Sequence, residues 1–567
     1  MNCIKYIFVI FAYSFSMCNA QSHQINLVGT FTGLKINYIK CLKINSDELI
    51  YYLNFTGKSL YYNNTLIYSE LDSFYYKIGA RSLLVKIDKK GRINWVKIIN
   101  SKGEGFEGLV LNSSVSIYYC TGLKKGEIKI GDSLYINNNI DIKAKDLIIA
   151  EFDFEGNLKK CKRWIAPSDY FEVKDMVLNN NKLFITGAYY GSILKFDNKL
   201  TFGDSLWYSK NVYLLSINLI DLTCDWVRTY GGLSDEEPYF ISLFNDKEII
   251  LTGYFNSQYF VGCLDTLESN TSNFTGDIFL VKINESGTCE WSKSISSYGL
   301  DFAYSLTTLD INNIGVAGSI EDNKINFDDT TILLKHTNCA FISKHNIKTG
   351  TFESLLQFED DKATNLTHLA TLKNLNTWFF GTTQGNQIRI SSLNINLNGK
   401  NKYNVFFGSL SKEFIPNFID KLILNSEANI KDIVSINSNS LNMIINTNAD
   451  SLILNNEIKD LGNLLEKYLI FQITDSLETN VSNYPKLSKE LSIHPNPFSD
   501  IINIEWLNQQ YEIVEVRIID IFGRIVLSKF LSLTNKVIEC DQLIPGLYIM
   551  QIFHSNKMIQ SSIVQKY

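Results

Sequence analysis

The stretch LFITGAYYG, residues 183–191, decides the fold because its pattern recurs along the chain at a nearly constant interval. An apolar run closes on Thr-Gly or Gly there, and again in IYYCTG, IILTGYF and NIGVAGS. Six glycines close these runs, with Asn446 in the seventh copy: Gly57, Gly122, Gly187, Gly253, Gly318 and Gly381. A nearly fixed period, here about 65 residues from each copy to the next, is the signature of a repeat protein.

Four of the repeats also carry an alternating strand, a turn and a tryptophan ahead of the next repeat glycine. Trp95, Trp164, Trp226 and Trp291 follow segments such as LLVKIDKKGRINW, and each precedes the next closing glycine by a similar distance. Alternation that breaks at Gly or Asp predicts a hairpin, with the tryptophan at the start of the partner strand. A third strand and the glycine strand bring the total to four predicted strands per repeat. We expect the glycine to permit a bend where backbones crowd.

The two ends of the repeat region distinguish an open array from a closed ring. QINLVGTF, residues 24–31, precedes the first repeat out of phase, and YLIFQITD, residues 468–475, follows the seventh copy without a partner strand. The N-terminal segment can supply that partner, which closes the ring and removes exposed sheet edges. The sequence therefore predicts an all-β chain with a seven-bladed β-propeller over residues 21–480.

Residues 1–20, MNCIKYIFVIFAYSFSMCNA, predict a signal peptide because one lysine precedes an apolar stretch that ends before a small residue, Ala20. A lipoprotein signal at Cys18 is disfavoured, since Met17 is not the small residue expected there. Elsewhere no apolar run reaches the roughly 18 residues of a membrane-spanning helix, so we expect no transmembrane segment in the mature chain. The net charge of −6 without basic clusters argues against nucleic acid as a partner.

Eight of the ten cysteines lie beyond this leader, in a chain whose export would permit disulfides. Cys161, Cys224 and Cys289 fall two or three residues before a tryptophan in three different repeats. Equivalent positions on separate repeats are too far apart for a bridge, which needs Cα atoms within about 7 Å. We expect buried free thiols that act as small apolar groups.

The order Val-Lys-Ile-Asp, turn, Gly, Trp-x-Lys, then Ile-Thr-Gly-x-Phe resembles the bacterial extracellular β-propeller repeats of large secreted proteins. The resemblance covers about 65–320 well and fades over 340–478. The fifth and sixth repeats depart from it, with GTFESLLQF and KEFIPNFIDKL in place of the tryptophan segment.

From Leu491 the pattern changes to a separate small β-domain over 491–567, after a linker at 481–490. Its alternating strands predict a compact, Ig-like β-sandwich. A PNPF segment, a D-x-x-G-R turn and an L-x-x-G-x-Y strand start are its motifs. The residues that carry them are Pro495, Asn496, Pro497, Asp520, Gly523, Arg524, Gly546 and Tyr548.

These motifs are similar to those of the type A sorting domain of the type IX secretion system. The resemblance implies that the type IX machinery is a partner and that the chain crosses the outer membrane to become secreted or displayed at the cell surface. It also implies that the domain is then removed, after which the remaining chain is released or linked to lipopolysaccharide. An accessory Ig-like module without a transport role is the alternative.

The sequence offers little motif-borne chemistry. It contains no phosphate-binding loop, no nucleophile elbow, no HExxH and no metal-spaced pair among its six histidines, so no catalytic or cofactor-binding residue is assigned. Calcium ligation is one interpretation of four loop acids, and capping of their own loops is the favoured one. These acids are Asp235, Glu236, Glu237 and Asp301.

A short Asp-Ser/Thr-Leu sequence also recurs, beginning at Asp132, Asp204, Asp265 and Asp450. It resembles the O-glycosylation sequence of bacteria that use type IX secretion. Ordinary polar turns explain it equally well.

The main functional interpretation is a secreted or surface-displayed propeller that acts as a binding or adhesion module for a glycan or a protein, and not as an enzyme. The alternative is a polysaccharide lyase or glycoside hydrolase with acidic residues in the channel, and the third is a structural matrix protein. Carboxylates about 5 to 10 Å apart in a deep channel would favour the enzyme. A shallow face with exposed Trp or Tyr would favour sugar binding.

Overall fold

The computed structural model divides the chain into two compact units, Met1–Asp475 and Ser476–Tyr567. The predicted signal peptide 1–20 and linker 481–490 lie outside the residues that the structure describes. Those residues form β-strands and turns, with no helix among them. The described residues are 23–33, 36–45, 47–56, 59–69, 81–103, 108–123, 126–137, 145–179, 181–191, 193–202, 209–263, 265–269, 276–328, 330–337, 339–360, 364–372, 376–397, 404–454, 457–461, 466–475, 491–495, 498–506, 513–520, 525–532, 535–554 and 557–566.

The strands of the first unit begin with β1 (His23–Gly33), and the repeats follow. Repeat 1 contains β2 (Ile36–Lys43), β3 (Glu48–Phe55), β4 (Ser59–Tyr62), β5 (Thr65–Ser69), β6 (Arg81–Asp88) and β7 (Ile93–Gly103). Repeat 2 contains β8 (Gly108–Asn112), β9 (Ile117–Leu123), β10 (Gly126–Ile130), β11 (Ser133–Asn137), β12 (Asp146–Phe152) and β13 (Leu158–Trp164). Repeat 3 contains β14 (Tyr170–Leu178), β15 (Lys182–Tyr190), β16 (Ile193–Phe196), β17 (Lys199–Phe202), β18 (Asn211–Asn218) and β19 (Cys224–Tyr230).

The remaining repeats have the same order. Repeat 4 contains β20 (Glu236–Phe244), β21 (Glu248–Phe255), β22 (Tyr259–Val261), β23 (Thr266–Glu268), β24 (Asp277–Asn284) and β25 (Cys289–Ser296). Repeat 5 contains β26 (Asp301–Thr308), β27 (Asn313–Ile320), β28 (Lys324–Phe327), β29 (Thr330–Leu333), β30 (Cys339–Asn346) and β31 (Phe352–Asp360). Repeat 6 contains β32 (Thr364–Thr371), β33 (Thr377–Thr383), β34 (Gln387–Ile390), β35 (Leu393–Asn396), β36 (Asn404–Leu410) and β37 (Pro416–Leu424). Repeat 7 contains β38 (Ala428–Ser435), β39 (Ser440–Thr447), β40 (Ser451–Leu454), β41 (Glu457–Asp460) and β42 (Lys467–Asp475).

In each of repeats 1 to 6 the first, second, fifth and sixth strands form one antiparallel sheet, and each sheet takes the number of its repeat. Sheet 7 has the order β38-β39-β42-β1, so the N-terminal strand supplies its fourth strand. The register of β1 and β42 runs from His23 opposite Asp475 to Thr32 opposite Lys467. The two ends of the repeat region are therefore joined by one ladder, with the partner that the out-of-phase N-terminal segment predicts.

The third and fourth strands of each repeat form an outer hairpin, which the sequence pattern did not reveal. Among the described strands, five of these hairpins pair with the fourth strand of the preceding sheet, as β10 does with β7 and β4 does with β1. Their tight turns place residues at positive φ, such as Asn63 (46°), Asn64 (64°) and Asp197 (50°), as two-residue hairpin loops require. Each of the five hairpins therefore extends the neighbouring sheet and ties two repeats together.

Four of the repeat glycines occupy one position, opposite the third residue of the third sheet strand: Gly187, Gly253, Gly318 and Gly381. A β-bulge in the first strand begins beside each of them. A Cβ at position 253 would collide with the carbonyl oxygen of Glu237, so the bulge requires glycine. Gly122 and Asn446 lie one position away, opposite the second residue of that strand. Gly57 is outside the described residues.

Three of the tryptophans also share a position in the fourth sheet strand. Trp95, Trp226 and Trp291 lie opposite Lys86, Ser216 and Lys282. Each packs on a positive-φ glycine in the next repeat; at Gly287, for example, a Cβ would lie 2.8 Å from the Trp226 ring. The Trp226 indole also donates a hydrogen bond to the Glu285 carbonyl oxygen at 3.1 Å.

Trp164 departs from this arrangement. Its repeat places Lys160 at the shared position, opposite Glu151, and Trp164 lies further along the strand, opposite Leu147. The Lys160 ammonium donates to the carbonyl oxygens of Leu219 and Ile220, in the turn that replaces the glycine turn of the other repeats. A lysine thus performs the bridging contact of the tryptophan in this repeat.

The cysteines follow the same register. Cys224 and Cys289 are equivalent, whereas Cys161 lies further along its strand. Cys289 forms a disulfide with Cys263 of its own repeat, so the expectation of a free thiol is wrong there. Other cysteines are free and buried: Cys41, Cys120, Cys224, Cys339 and Cys540.

Successive sheets pack face to face through apolar clusters. Among the described residues seven such clusters lie between consecutive sheets, and one of them joins sheet 7 to sheet 1. That cluster brings Phe31 and Ile470 of sheet 7 against Tyr51 and Leu83 of sheet 1. The first strands contact one another in the order β2, β8, β14, β20, β26, β32, β38 and back to β2.

A repeated hydrogen bond links the first strands of neighbouring sheets. The side chain that follows the bulge accepts a backbone N–H from another first strand. Asp175 accepts from Ile241 at 3.1 Å, and Ser305 accepts from Leu369 at 2.9 Å. Asp432 of sheet 7 accepts from Cys41 of sheet 1 at 2.7 Å. The contact from sheet 7 to sheet 1 is therefore of the same kind as those between sheets adjacent in sequence.

The second unit contains two antiparallel sheets around one apolar core. Its strands are β43 (Leu491–His494), β44 (Ile501–Trp506), β45 (Ile513–Ile519), β46 (Ile525–Ser532), β47 (Val537–Glu539), β48 (Gly546–His554) and β49 (Lys557–Lys566). Gly546 begins β48, where the Tyr548 hydroxyl donates to the Ile544 carbonyl oxygen at 2.6 Å. Pro495 follows β43, and Asp520 follows β45. Asn496, Pro497, Gly523 and Arg524 lie outside the described residues.

Candidate binding face

The bulges in the first strands place equivalent side chains in rows at one end of sheets 3 to 5. The extra residue of each bulge is Lys174 in β14, Tyr239 in β20 and Tyr304 in β26. Two residues earlier in each strand lie Glu172, Glu237 and Phe302. A bulge redirects the side chain of its extra residue, and the members of the two rows are half-buried except Glu237, which is buried.

Aromatic rings form a half-buried strip across this end. Tyr170 and Tyr190 pair across sheet 3, with ring centroids 4.4 Å apart. In sheet 4 the Tyr239 and Tyr254 centroids are 5.5 Å apart, and Tyr254 lies 6.2 Å from Phe302 of sheet 5. Tyr304 continues the row, 6.0 Å from Phe302. With Lys145, Glu172, Lys174, Lys210 and Glu237, these six rings define what we call the aromatic strip.

The charged groups of the strip form an alternating chain of ion pairs. Lys145 contacts Glu172 at 3.3 Å, and Lys174 contacts Glu172 at 3.3 Å and Glu237 at 3.2 Å. Lys210 pairs with Glu237. The ammonium groups of Lys145 and Lys210 also lie 5.6 and 5.9 Å from the centre of the Tyr170 ring. Each lysine of the chain therefore has a carboxylate partner.

Protonation in the strip is set by these contacts. Although burial raises the pKa of Glu172, the hydrogen bond from Tyr170 and the charges of Lys145 and Lys174 lower it to about 2. Burial, with the Glu237 charge, raises the pKa of Tyr254 to about 12. Glu172 is therefore an acceptor at any ordinary pH, and the tyrosine keeps its proton for donation.

Apolar side chains surround the strip on the loops that enter the same first strands. Ile165, Leu233 and Tyr298 are 72%, 69% and 67% exposed in the three loops before β14, β20 and β26. Leu300 adds a further exposed group in the third loop. The half-buried rings and these exposed apolar groups therefore lie on loops and strand ends of the same three sheets.

A second cluster of charges lies on the first strands of other sheets. Asp175, His368 and Asp432 occupy the position after the bulge in sheets 3, 6 and 7, and Lys40 lies in β2 of sheet 1. The Lys40 ammonium is 3.4 Å from the Asp432 carboxylate and also interacts with Asp175. Burial raises the pKa of Asp175 to about 6 and lowers the pKa of His368 to about 4.

The carboxylates of this cluster are occupied by structural bonds. The two Asp175 oxygens accept N–H groups of Met176 and Ile241. Asp432 accepts from Cys41 and pairs with Lys40. These groups are fixed between strands, and therefore have little freedom to transfer protons to a substrate.

The four predicted loop acids have separate partners. Asp235 accepts the backbone N–H of Lys210 at 2.8 Å, and Glu237 belongs to the strip. Glu236 is buried and accepts the Gly232 N–H at 3.1 Å and the Ser257 hydroxyl. Asp301 is buried and accepts the Ser297 hydroxyl at 2.6 Å. Within the described ranges no group of three His, Cys, Asp or Glu side chains is arranged to hold a metal ion.

The Asp-Ser/Thr-Leu sequences occupy two kinds of position. Asp132 and Asp265 each directly precede the second strand of an outer hairpin, whereas Asp450 directly precedes the first strand of its hairpin. Asp204 lies outside the described residues. Glycosylation at these sites stays a prediction.

The aromatic strip was not predicted from the sequence, although the sequence contains a signal for it. Glu172, Glu237 and Phe302 are separated by one repeat period each, and so are Lys174, Tyr239 and Tyr304. The repeat period alone would have aligned both rows. The bulge that turns them outward interrupts the alternation from which burial is predicted, so their accessibility was not evident.

Comparison with protein families identifies the C-terminal unit. Residues 492–566 match the family model described as the secretion system C-terminal sorting domain. This unit is a type IX sorting domain. The sorting domain directs the chain across the outer membrane to the cell surface or the extracellular space, which confirms the predicted export. In the part of the chain that the structure describes, no helix is long and apolar enough to cross a membrane.

No curated protein matches the chain. Among solved structures, a mutant apocarotenoid oxygenase from Synechocystis is similar at a TM-score of 0.32 and 8% identity, over 71% of this chain and 92% of that one. The extracellular domain of BT4673 from B. thetaiotaomicron is similar at a TM-score of 0.17 and 11% identity, over 96% and 99% of the two chains. Likeness at these TM-scores carries no argument about this protein.

Proposed function

We propose that the chain is an exported binding module, in which the seven sheets close into a seven-bladed β-propeller and the aromatic strip contacts the target. The closed order is supported by the β1–β42 ladder, by the apolar cluster between sheets 7 and 1 and by the Asp432 bond to Cys41. Closure fixes the positions of neighbouring sheets relative to one another, which a binding surface spread over sheets 2 to 5 requires.

The observation that carries the binding role is the aromatic strip with its border of exposed apolar loops. Half-buried tyrosines offer large contact area at low entropic cost, and they combine an apolar ring with a hydroxyl donor. A purely structural matrix role gives no reason for six rings and five charged groups to gather at one end of these sheets.

Glycoside hydrolysis, the alternative expected from the sequence, is less well supported. It needs one carboxylic acid held protonated and a second carboxylate free to act on the sugar. In the strip Glu172 is held ionised, and in the cluster around Lys40 the carboxylates of Asp175 and Asp432 are engaged by backbone N–H groups.

The experiment is a solid-phase binding screen of the full chain without residues 1–20. Laminarin, xylan, mannan, alginate, polygalacturonate, collagen and fibronectin serve as probes. The variants are Tyr254→Ser in the strip and Leu233→Ser beside it, and the matched control is Ile311→Ser. Ile311 is 75% exposed in the turn between β26 and β27, at the other end of the strands.

Binding that both test variants weaken, and the control does not, supports the proposal. Binding that is equal in all four proteins refutes it, as does the absence of binding to every probe.

A further inference from the structure

We infer that the ligand of the aromatic strip is an uncharged polysaccharide chain. This inference rests on the proposed function, because it concerns the chemistry of that same surface. Three features carry it: the exposed ring faces, the balance of charge along the strip, and the length over which both extend.

The rings provide stacking surfaces for the C–H faces of sugar rings. Tyr170, Tyr190, Tyr239, Tyr254, Phe302 and Tyr304 are all half-buried, so part of each ring faces solvent. Most neighbouring rings are inclined to each other: Tyr254 and Phe302 meet at 69°, whereas Phe302 and Tyr304 are nearly parallel, at 23° with centroids 6.0 Å apart. Such rings retain free π surface for a flat, weakly polar ligand.

The charges along the strip are neutralised internally. Lys174 contacts both Glu172 and Glu237, while Lys145 contacts Glu172 and Lys210 contacts Glu237. Asp235 accepts the backbone N–H of Lys210 and so lies beside these ion pairs. Its negative charge balances the third lysine, since the strip itself has three lysines and two glutamates. A charged ligand would lose hydration here without meeting an unpaired opposite charge, which makes its binding costly.

The same groups are well suited to hydroxyls. An ammonium group has three donors and a carboxylate about four acceptor sites, so each keeps capacity beyond its ion pair. A sugar hydroxyl both donates and accepts, and it can therefore bridge a lysine and a glutamate of the chain. Hydrogen bonds to charged partners are stronger than those between neutral groups.

The extent of the strip indicates a chain and not a single sugar. Its members span sheets 2 to 5, from Lys145 beside β12 to Tyr304 in β26. The pair Tyr170–Tyr190 and the group around Tyr254 and Phe302 belong to different sheets and offer separate stacking positions. A linear polymer can occupy both at once and gain affinity from each.

The test measures affinity for neutral probes (laminarin, xylan, mannan) and anionic probes (alginate, polygalacturonate), with the full chain lacking residues 1–20. Affinity is measured at about 0.05 and about 0.5 M NaCl, which differ strongly in electrostatic screening. The variants are Tyr254→Ser, Tyr190→Ser and Glu237→Gln, with Ile311→Ser as the control. Matching thermal melting curves show that each variant is folded.

We expect at least one neutral probe to bind, with little change in affinity between the two salt concentrations. Each tyrosine substitution should weaken that binding about three- to tenfold, which is about 0.7–1.4 kcal/mol, since each removes one stacking ring and its hydroxyl donor. Glu237→Gln removes one negative charge, so it should raise affinity for alginate.

The outcomes separate the inference from the proposed function. Binding of anionic probes alone, or of collagen or fibronectin alone, that Tyr254→Ser abolishes would overturn the inference and leave the binding face intact. Binding that neither tyrosine substitution affects would overturn both, as would the absence of binding to every probe.

Discussion

Replacement of Glu236 by glutamine should remove a large part of the pH dependence of folding. Glu236 is fully buried at the start of β20, where it accepts the Gly232 N–H and the Ser257 hydroxyl. Burial raises its pKa to about 8, against the lowering effect of those hydrogen bonds. The ordinary value is 4.5, so the folded state favours the protonated acid.

The sign and size of the effect follow from proton linkage. Because the pKa is raised on folding, its contribution to stability is complete below about pH 4.5 and is lost as the pH rises through about 8. Since a tenfold change in proton affinity is worth about 1.4 kcal/mol, the loss has an upper bound of about 5 kcal/mol. Glutamine is neutral at every pH and similar in shape, so Glu236→Gln should show no such loss.

The assay is urea unfolding of the full chain without residues 1–20 at about pH 5, 7 and 9, with tryptophan fluorescence as the signal of unfolding. Six of the seven tryptophans belong to the repeat region, so the signal reports on it. We expect the stability difference between Glu236→Gln and the parent to grow by a few kcal/mol from about pH 5 to 9. Glu285→Gln, at an exposed turn, is the control and should follow the parent. Parallel pH profiles for Glu236→Gln and the parent would refute the reasoning.

Three further predictions concern the frame of the molecule. In urea unfolding, Gly253→Ala should lower the stability of the repeat region by about 2 kcal/mol or more, because a Cβ would meet the Glu237 carbonyl oxygen. Gly546→Ala should lower the stability of its own unit far less, because a Cβ there has no neighbour closer than 4.0 Å. Deletion of residues 23–33 removes the fourth strand of sheet 7, so limited proteolysis should cut the repeat region rapidly; a resistance equal to that of the parent would count against ring closure. Deletion of residues 492–566 should leave the chain in the periplasm on cell fractionation, and continued export would contradict the assigned sorting role.

The sequence predicts the repeat number, the strand order of each sheet and the joining of the chain ends, because all three depend on periodicity. It does not reveal the outer hairpins. From the sequence Asp132 is assigned to an ordinary polar turn and Asn63-Asn64 is not singled out, although two-residue loops between short alternating segments are typical of hairpins.

The sequence also does not show directly which residues of different repeats take equivalent positions in the paired strands. By distance along the chain Trp164 and Cys161 match Trp226 and Cys224, yet in β13 Trp164 lies four residues beyond the position that Trp226 takes in β19. The hairpin bulge is at the same place as in the other repeats, so the shift lies in the residues themselves: Trp164 follows Gly156 by eight residues, whereas Trp291 follows Gly287 by four. The same shift allows Lys160 to replace a tryptophan, which residue type alone would not suggest.

Hydrogen–deuterium exchange with a bound polysaccharide would locate the binding surface on the chain. The full chain without residues 1–20 is measured with and without whichever of laminarin, xylan or mannan binds it most tightly. If the aromatic strip is the binding surface, we expect slower exchange in segments 170–174, 237–239 and 302–304, with no change in the turn at 309–312. Protection confined to the outer hairpins or to that turn would contradict it, as would the failure of all three polysaccharides to slow exchange anywhere.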